Sequence, residues 1–393
     1  MQERKRKIAV FTGNRAEYGM QTPFLRCLAE DRRLEYLLIV SGAHLKTDFG
    51  RTLHEIESDG FHVDAQVEIE PVGDDLFGTA RAIGSCITNI APVLARLRPD
   101  FVVVCADRFE GFAALVASTQ MGIPTAHIEG GDYTEGGALD DSVRHAMTKL
   151  AHLHFTTNEE AAERVRRMGE EPWRVQSVGF PPLDLIAAGL YPKPAEVYEK
   201  FHLDPDRPIL IFTQHSVSTE YDQAAAQVRP SLEALEDAVR DWQCQIIITF
   251  PNDDAGGRAI MAELNTLAAR ENPSIQIHSS LGRYYYHGIL NVADACLGNS
   301  SSGIKETPAF RCPYITIGSR QKGRLRAHNV IEVGYDRAEI RGAIGRCLTD
   351  QAFLEAVRTC SNPYGAGNAG KQICQTLATV PIDLRLLQKK LTY

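Results

Sequence analysis

The segment Phe101–Cys105, FVVVC, is an apolar run without a polar break, and the charged residues Asp107 and Arg108 follow it closely. A strand that is buried on one face alternates apolar and polar residues, whereas a strand covered on both faces does not. This run therefore predicts a central strand of a parallel sheet with helices on both sides. Charged residues at the carboxyl end of such a strand lie where α/β proteins place their active sites.

Strand-like runs alternate with segments of helical apolar spacing through roughly the first 180 residues, which predicts a doubly wound α/β domain. The other predicted strands are Lys7–Phe11, Leu34–Val40, Phe61–Ile69, Thr125–Ile128 and His154–Thr157. The predicted helices are Tyr18–Glu30, Thr79–Leu97, Phe112–Met121 and Ser142–His152.

A proline-rich stretch around Gly179–Pro194 interrupts this alternation, and the same pattern then resumes. Further strands are predicted at Pro208–Phe212, Gln245–Phe250, Ile275–Ile277, Ala295–Leu297 and Tyr314–Ile317, and helices at Ala224–Trp242, Gly257–Glu271 and Tyr284–Val292. We expect a first domain over residues 1–185, a second over 200–360, and a C-terminal segment, 365–393, that returns to the first. Two such domains are expected to face a central ligand cleft.

Composition excludes several classes of function. The formal net charge of −8 over 393 residues disfavours a nucleic-acid or anionic-membrane partner. The nine cysteines form no CxxC pair, which favours reduced thiols in a cytoplasmic protein and predicts no metal site. No apolar run approaches the ~20 residues that a membrane helix needs.

Charged side chains follow several predicted strands of the first domain, where they would meet at one edge of the sheet. They are Arg15, Asp107, Arg108, Glu129, Asp140 and Asp141. Clustered carboxylates have proton affinities that differ from one another, as general acid–base chemistry requires. Asp140 and Asp141 also precede a predicted helix, so either could instead be an N-cap or support the helix through Arg144 or His145.

The second domain carries candidates for binding a phosphate-containing ligand after its own strands. They are His215, Asn252, Ser300, Ser301, Glu306 and Arg320. Ser300 and Ser301 belong to the stretch Gly298–Glu306, whose small residues at a helix start could offer backbone N–H groups and hydroxyls to a diphosphate. The alternatives are a capped helix start for the serines, a structural loop histidine and a solvated arginine.

Together these stretches resemble the hydrolysing UDP-N-acetylglucosamine 2-epimerases of sialic-acid and related nonulosonic-acid synthesis. The similarity runs nearly from end to end of the chain. Its motifs are TGNRAEYG, ADRFE, HIEGGD, DDSVRHAMTKLAH, QHSVSTE, FPNDDAG, GNSSSGIKE, GSRQKGR and NPYGAGNA. The usual HVEAGL and PEE-NR patterns of the non-hydrolysing 2-epimerases fit less well.

The resemblance implies two Rossmann-like domains in a glycosyltransferase-B-like arrangement, no cofactor, a nucleotide-sugar substrate and a homo-oligomer. It implies elimination of UDP to give a glycal, followed by hydration with inversion at C2. It places the two catalytic carboxylates on Glu129 and Asp140, and we predict Asp107 as a third catalytic residue that could orient one of them or raise its proton affinity. The implied nucleotide contacts are Arg15, Arg108, His215, Asn252, Ser280, Ser300, Ser301, Glu306 and Arg320.

Three alternatives stay open at this point: a glycosyltransferase of the same architecture, a non-hydrolysing 2-epimerase, and a sugar-nucleotide sensor without catalysis. The loop between Glu129 and Asp140 is longer here than is usual in the family, so the sugar and its C4 and C6 substituents stay open. The choice between UDP and GDP is also open, because the base-binding loops carry little pattern.

Overall fold

The computed structural model describes residues 4–45, 53–70, 76–133, 138–217, 219–251 and 256–393; for residues 76 and 138–140 it describes the backbone alone. The chain divides into two compact units. Unit 1 comprises Met1–Asp132, Leu139–Asp184 and Tyr364–Tyr393, and unit 2 comprises Tyr133–Ala138 and Leu185–Pro363. The two units are each built on a parallel sheet, and the predicted α/β fold class is confirmed.

The described strands form two sheets, one in each unit. In chain order they are β1 (Arg6–Thr12), β2 (Leu34–Ser41), β3 (Ala65–Val67), β4 (Phe101–Cys105), β5 (Thr125–Ile128), β6 (Leu153–Thr156), β7 (Val175–Ser177), β8 (Ile209–Thr213), β9 (Gln245–Thr249), β10 (Ile275–His278), β11 (Ala295–Gly298), β12 (Tyr314–Ile317) and β13 (Val330–Val333).

Helices alternate with these strands. They are α1 (Arg15–Glu30), α2 (Leu53–Ser58), α3 (Leu76–Leu97), α4 (Phe109–Gln120), α5 (Ala138–Leu150), α6 (Glu159–Arg167), α7 (Leu183–Ala187), α8 (Pro194–Phe201), α9 (Ala224–Trp242), α10 (Gly257–Ala268), α11 (Gly282–Val292), α12 (Ser301–Lys305), α13 (Arg337–Thr349), α14 (Gln351–Thr359), α15 (Ala369–Thr379) and α16 (Leu384–Leu387). Short 3₁₀ helices occur at Gly42–Leu45, Pro172–Arg174, Tyr221–Gln223 and Thr307–Phe310.

Each sheet reverses its strand order at one point. In unit 1 the order is β3-β2-β1-β4-β5-β6-β7, and in unit 2 it is β10-β9-β8-β11-β12-β13, with parallel pairing throughout the described strands. The reversal lies between β1 and β4 in unit 1 and between β8 and β11 in unit 2. Loops that leave two such strands diverge, and ligands of α/β proteins bind in the crevice between them.

The unbroken apolar run in β4 is explained by two separate layers of core. Phe101, Val103 and Cys105 pack on one face of the sheet with α1 and α15, whereas Val102 and Val104 pack on the other face with α3 and α4. Each large apolar side chain buried in this way contributes roughly 1.5–3 kcal/mol. Both faces of β4 are therefore covered, as its sequence predicted.

The C-terminal segment packs within unit 1. Asp184 accepts hydrogen bonds from the N–H groups of Ala369 (2.9 Å) and Gly370 (2.7 Å), at the start of α15. Lys389 reaches the buried carboxylate of Glu170 at 2.7 Å and donates to the Ala151 carbonyl at 2.6 Å, just beyond the end of α5. The carbonyl end of α5, whose first turn carries Asp140, is thus held by the chain's own C-terminal residues.

Several predicted element bounds were wrong. The strand predicted over Phe61–Ile69 forms only at β3, because three residues of it pair with β2. The helix predicted from Ser142 begins at Ala138, so Asp140 and Asp141 lie inside its first turn instead of before it. Helices α1 and α4 likewise begin three residues earlier than their apolar periodicity indicated. The edge strands β7 and β13 and the helices α6, α13 and α14 were not predicted.

One glycine at the reversal of the second sheet supports a direct test of the packing. Gly298 has a φ of +126°, and a Cβ atom added there would lie 1.8 Å from the Thr213 carbonyl oxygen. We expect Gly298→Ala to lower the free energy of unfolding by ~3 kcal/mol or more and to lower Tm accordingly. Thermal denaturation followed by circular dichroism measures this.

Gly342→Ala is the matched control. Gly342 lies exposed in α13, and no described atom comes within 4 Å of an added Cβ. Since alanine favours a helix over glycine by up to ~1 kcal/mol, Tm should stay the same or rise. Equal melting temperatures for the two variants would contradict the packing at Gly298.

Candidate active site

The turns that follow β4 and β5 lie side by side and hold unusual backbone conformations. Ala106 has a φ of +62° and Glu129 a φ of +70°, and neither residue is a glycine. The Ala106 N–H donates to the Ile128 carbonyl at 3.0 Å, and the Glu129 N–H donates to the Phe155 carbonyl at 2.9 Å. Such conformations cost about 1–3 kcal/mol each and persist where the surroundings fix them, often at functional sites.

Arg144 from α5 connects these two turns. Its side chain is 3% exposed and forms an ion pair with the Asp107 carboxylate. Its guanidinium also donates to the Glu129 carbonyl at 3.1 Å, and Asp141 lies 3.9 Å away on the same helix. Burial alone would lower the pKa of Arg144, but Asp107, Glu129 and the other nearby carboxylates raise it above its usual value. Arg144 therefore stays charged.

These contacts bring two of the three predicted catalytic residues together. Asp107 and Glu129 both lie around Arg144, at the carboxyl edge of the unit 1 sheet. The backbone of Asp140 lies in the first turn of α5, where an acidic residue is favourable, and its side chain lies outside the described part of the structure. The sequence predictions did not assign Arg144 to the site, although it belongs to the quoted motif DDSVRHAMTKLAH.

His127, the first residue of the HIEGGD motif, lies in β5 and stabilises the same edge of the sheet. It is fully buried, and its Nε2–H donates to the Ala106 carbonyl at 2.7 Å. The Thr148 hydroxyl lies 3.3 Å from its Nδ1. Burial lowers the pKa of His127 to about 3, so the ring is neutral at physiological pH. His127 therefore fixes the strained Ala106 turn and contributes no charge.

The two arginines of unit 1 predicted to bind phosphate are half-exposed and each has an acidic neighbour. Arg108 is the N-terminal residue before α4, and its guanidinium lies 3.4 Å from the buried Glu110 carboxylate. Arg15 opens α1 and lies 3.1 Å from Glu55. Both remain accessible to a ligand with more negative charge than a single carboxylate.

In unit 2, Asn299 joins the loops that follow β8 and β11. Its side-chain oxygen accepts from the His215 N–H at 2.7 Å, and its amide donates to the His215 carbonyl at 2.8 Å. Arg320 and Gln321 donate to the Asn299 carbonyl at 3.1 and 2.8 Å. Asn299 therefore brings two predicted residues, His215 and Arg320, to one place, although it was not itself predicted.

His215 is neutral in this arrangement. Burial and, to a smaller extent, the nearby Arg320 together lower its pKa to about 3. A neutral imidazole can donate one hydrogen bond to a phosphate oxygen but cannot add positive charge. The fixed charge in this part of unit 2 therefore comes from Arg320.

The serine-rich loop after β11 is braced by a buried tyrosine. The Tyr314 hydroxyl lies 3.0 Å from the Gly298 carbonyl and 3.1 Å from the Ser300 carbonyl. The Ser300 hydroxyl caps α12 by accepting from the Ser302 N–H, and Ser301 is the first residue of that helix. Both predicted serines thus lie at a helix start, on a loop whose backbone is held rigidly.

The other predicted nucleotide-binding residues are placed as follows. Glu306 follows α12 and accepts a hydrogen bond from His287, with Oε2 and Nε2 2.7 Å apart. Ser280 is exposed and accepts from the Gly282 N–H at 3.1 Å, at the start of α11. Asn252 lies outside the described residues.

The described parts of the chain contain no group of three or more His, Cys, Asp or Glu side chains that could hold a metal ion. No helix among them is long and apolar enough to cross a membrane.

Comparisons with known proteins agree on one family. A family model described as UDP-N-acetylglucosamine 2-epimerase matches residues 26–378. The chain is 32% identical over 384 residues to the hydrolysing UDP-N,N'-diacetylbacillosamine 2-epimerase of Legionella pneumophila, covering 98% of each chain. It is 31% identical over 343 residues to the UDP-N-acetylglucosamine 2-epimerase of Neisseria meningitidis, covering 86% of each.

A solved structure shows the same fold. The UDP-GlcNAc 2-epimerase from Neisseria meningitidis, bound to UDP-GlcNAc, superimposes with a TM-score of 0.78 at 16% identity. The similarity covers 95% of this chain and 99% of that one.

The state of His127 can be tested directly. Because burial keeps its pKa near 3, we expect its ring to stay neutral in the Nε2–H form between about pH 5 and 8. Two-bond ¹H–¹⁵N correlation spectra of the labelled protein report this, with free histidine in the same buffer as the control. A His127 signal that titrates near pH 6.5 would contradict the assignment.

Proposed function

We infer that this chain, which belongs to the UDP-N-acetylglucosamine 2-epimerase family, is a hydrolysing sugar-nucleotide 2-epimerase. It converts a UDP-linked 2-acetamido sugar and water to UDP and the free sugar inverted at C2. The relatives named above act on two such sugars, UDP-N-acetylglucosamine and UDP-N,N'-diacetylbacillosamine. What these substrates share is the nucleotide and the 2-acetamido group, and we assign both to the site.

The observation that carries the proposal is the arrangement around Arg144. One buried guanidinium fixes Asp107, the Glu129 turn and the acidic first turn of α5 at one edge of the unit 1 sheet. The reaction needs neighbouring carboxyl groups, because a proton must be removed from C2 and a proton must later be returned to C2.

The chemistry proceeds in two stages. A carboxylate base takes the C2 proton while the C1–O bond breaks, which leaves a glycal with a C1–C2 double bond and releases UDP. Water then adds its hydroxyl to C1, and an acid protonates C2 from the opposite face. Glu129 and Asp140 are the assigned acid–base pair. Asp107 is a positioning residue that acts through Arg144.

The nucleotide is assigned to the residues that the family resemblance implies. Because the C2 hydrogen is weakly acidic, the leaving diphosphate must be strongly stabilised. Arg15, Arg108 and Arg320 supply the positive charge, whereas neutral His215 and the Ser300–Ser301 loop supply hydrogen bonds. Glu306 is oriented by His287 to accept hydrogen bonds from the ribose hydroxyls. Ser280 and Asn252 complete the assignment.

A reducing compartment is proposed as well. All nine cysteines of the chain are free. Scattered free thiols are typical of cytoplasmic proteins.

The catalytic pair is tested by substitution. We expect Glu129→Gln and Asp140→Asn each to lower turnover of UDP-N-acetylglucosamine by at least ~10²-fold, because each removes a proton-transfer group. UDP affinity should change by less than ~3-fold, because neither residue is assigned to the diphosphate. A coupled assay of UDP release measures the turnover, and titration calorimetry measures the UDP affinity.

Glu163→Gln is the control for this pair. Glu163 is exposed on α6 and is assigned no role, so its replacement should leave both quantities unchanged. Turnover at the unsubstituted rate in Glu129→Gln would contradict the proposed role of Glu129.

A further inference from the structure

Two buried carboxyl groups lie next to the candidate site and have no role in the chemistry above. Glu17 belongs to the first turn of α1 and Glu110 to the first turn of α4. They are 1% and 2% exposed. Helices α1 and α4 follow β1 and β4, so both side chains lie where the strand order of unit 1 reverses. Acidic side chains are rarely buried to this extent without a reason.

The two carboxyl side chains enclose the turn at Gly13. The Gly13 N–H donates to the Glu17 carboxyl at 2.7 Å. A Cβ atom added to Gly13 would lie 2.9 Å from the Cβ of Glu110, so the turn is packed tightly against that side chain. Glu110 in turn lies 3.4 Å from the guanidinium of Arg108. The pair thus contacts both the turn that leads to Arg15 and the arginine assigned to the diphosphate.

Among the described neighbours, one positive charge faces the two carboxyls. From the β4–α4 turn come Asp107 and Arg108, and from α3 comes Cys86, whose thiol lies 3.9 Å from the Glu110 carbonyl. Burial raises the pKa of Cys86 to about 12, so it is uncharged at neutral pH.

On the β2 side lies His44, 3.0 Å from the Thr12 hydroxyl of β1. Burial lowers its pKa to about 4, so it too is neutral. Arg108 is therefore the cation that faces the pair among the described neighbours. Two like charges at a buried site cannot both form cheaply beside a single cation.

We propose that Glu17 and Glu110 are positioning residues that hold the Gly13 turn and Arg108 ready for the diphosphate, and that Glu17 does so with its proton retained at neutral pH. This rests on the proposed function, in which Arg108 binds that group. When Glu17 ionises, its added negative charge near Arg108 repels the diphosphate. Diphosphate binding and retention of the proton therefore favour each other.

The direction of the pH dependence follows from this coupling. Burial and, after it, the neighbouring Glu110 raise the pKa of Glu17 to about 8, against the opposing effects of the Gly13 N–H and Arg108. Glu17 is therefore protonated at neutral pH and ionised well above pH 8. Because the terminal phosphate of a nucleotide has its last pKa near ~6, a loss of affinity above pH 7 belongs to the protein. We expect the UDP affinity to fall about tenfold between pH 7 and 9.

Titration calorimetry of the full chain with UDP at pH 7 and pH 9 tests the proposal. Glu17→Gln removes the carboxyl group that ionises over this range, and Glu110→Gln removes the neighbouring carboxyl that raises the pKa of Glu17. Both variants should therefore lower the ratio of the two affinities, and Glu17→Gln should bring it from about ten to about one. Glu30→Gln, an exposed change in the same helix, should keep the unsubstituted ratio.

Each outcome decides a different point. If the unsubstituted protein binds no UDP at pH 7, the proposed function itself fails. If it binds UDP but Glu17→Gln keeps its affinity ratio, only the proposed role of the Glu17 proton is overturned. Glutamine mimics a protonated glutamate and its oxygen can accept from the Gly13 N–H. Failure of both variants to fold, with Glu30→Gln folded, would therefore also overturn it.

Discussion

The ion pair between Arg144 and Asp107 is the interaction on which the candidate active site depends. A buried pair of this kind is weak evidence for stability, because removing two charges from water offsets much of their attraction. Its effect here is geometric. Arg144 also donates to the Glu129 carbonyl, so one side chain fixes the start of α5 against the turns after β4 and β5. Removing one partner would leave a buried charge uncompensated, at ~3–5 kcal/mol.

In unit 2 the corresponding loops are joined by an uncharged side chain. Asn299 hydrogen-bonds to both backbone groups of His215 and so joins the loops that follow β8 and β11. The difference suits the two assigned tasks. A carboxylate site gains from a fixed cation that stabilises ionised acids, whereas a diphosphate site gains from neutral donors and exposed arginines. His215 and His127 are both kept neutral by burial, so neither histidine adds positive charge to its unit.

Much of the fold could be predicted because it depends on local pattern. The bounds of Phe101–Cys105 follow from an apolar run that both core layers require. Phe61–Ile69 has the alternation of a strand, but a strand at the edge of a sheet extends only as far as its neighbour pairs with it. The roles of Arg144 and Glu17 were not predicted, for a related reason. Their roles come from contacts with residues distant in sequence, and no local spacing reports those contacts.

The central claim is that the chain cleaves UDP from its substrate and inverts C2 through a glycal. Product analysis by NMR in D₂O tests it most directly, with UDP-N-acetylglucosamine and its 2,4-diacetamido-trideoxy analogue offered side by side. The account predicts UDP and a free manno-configured sugar that carries deuterium at C2. A C2-inverted sugar still attached to UDP, or a free sugar with protium at C2, would contradict it.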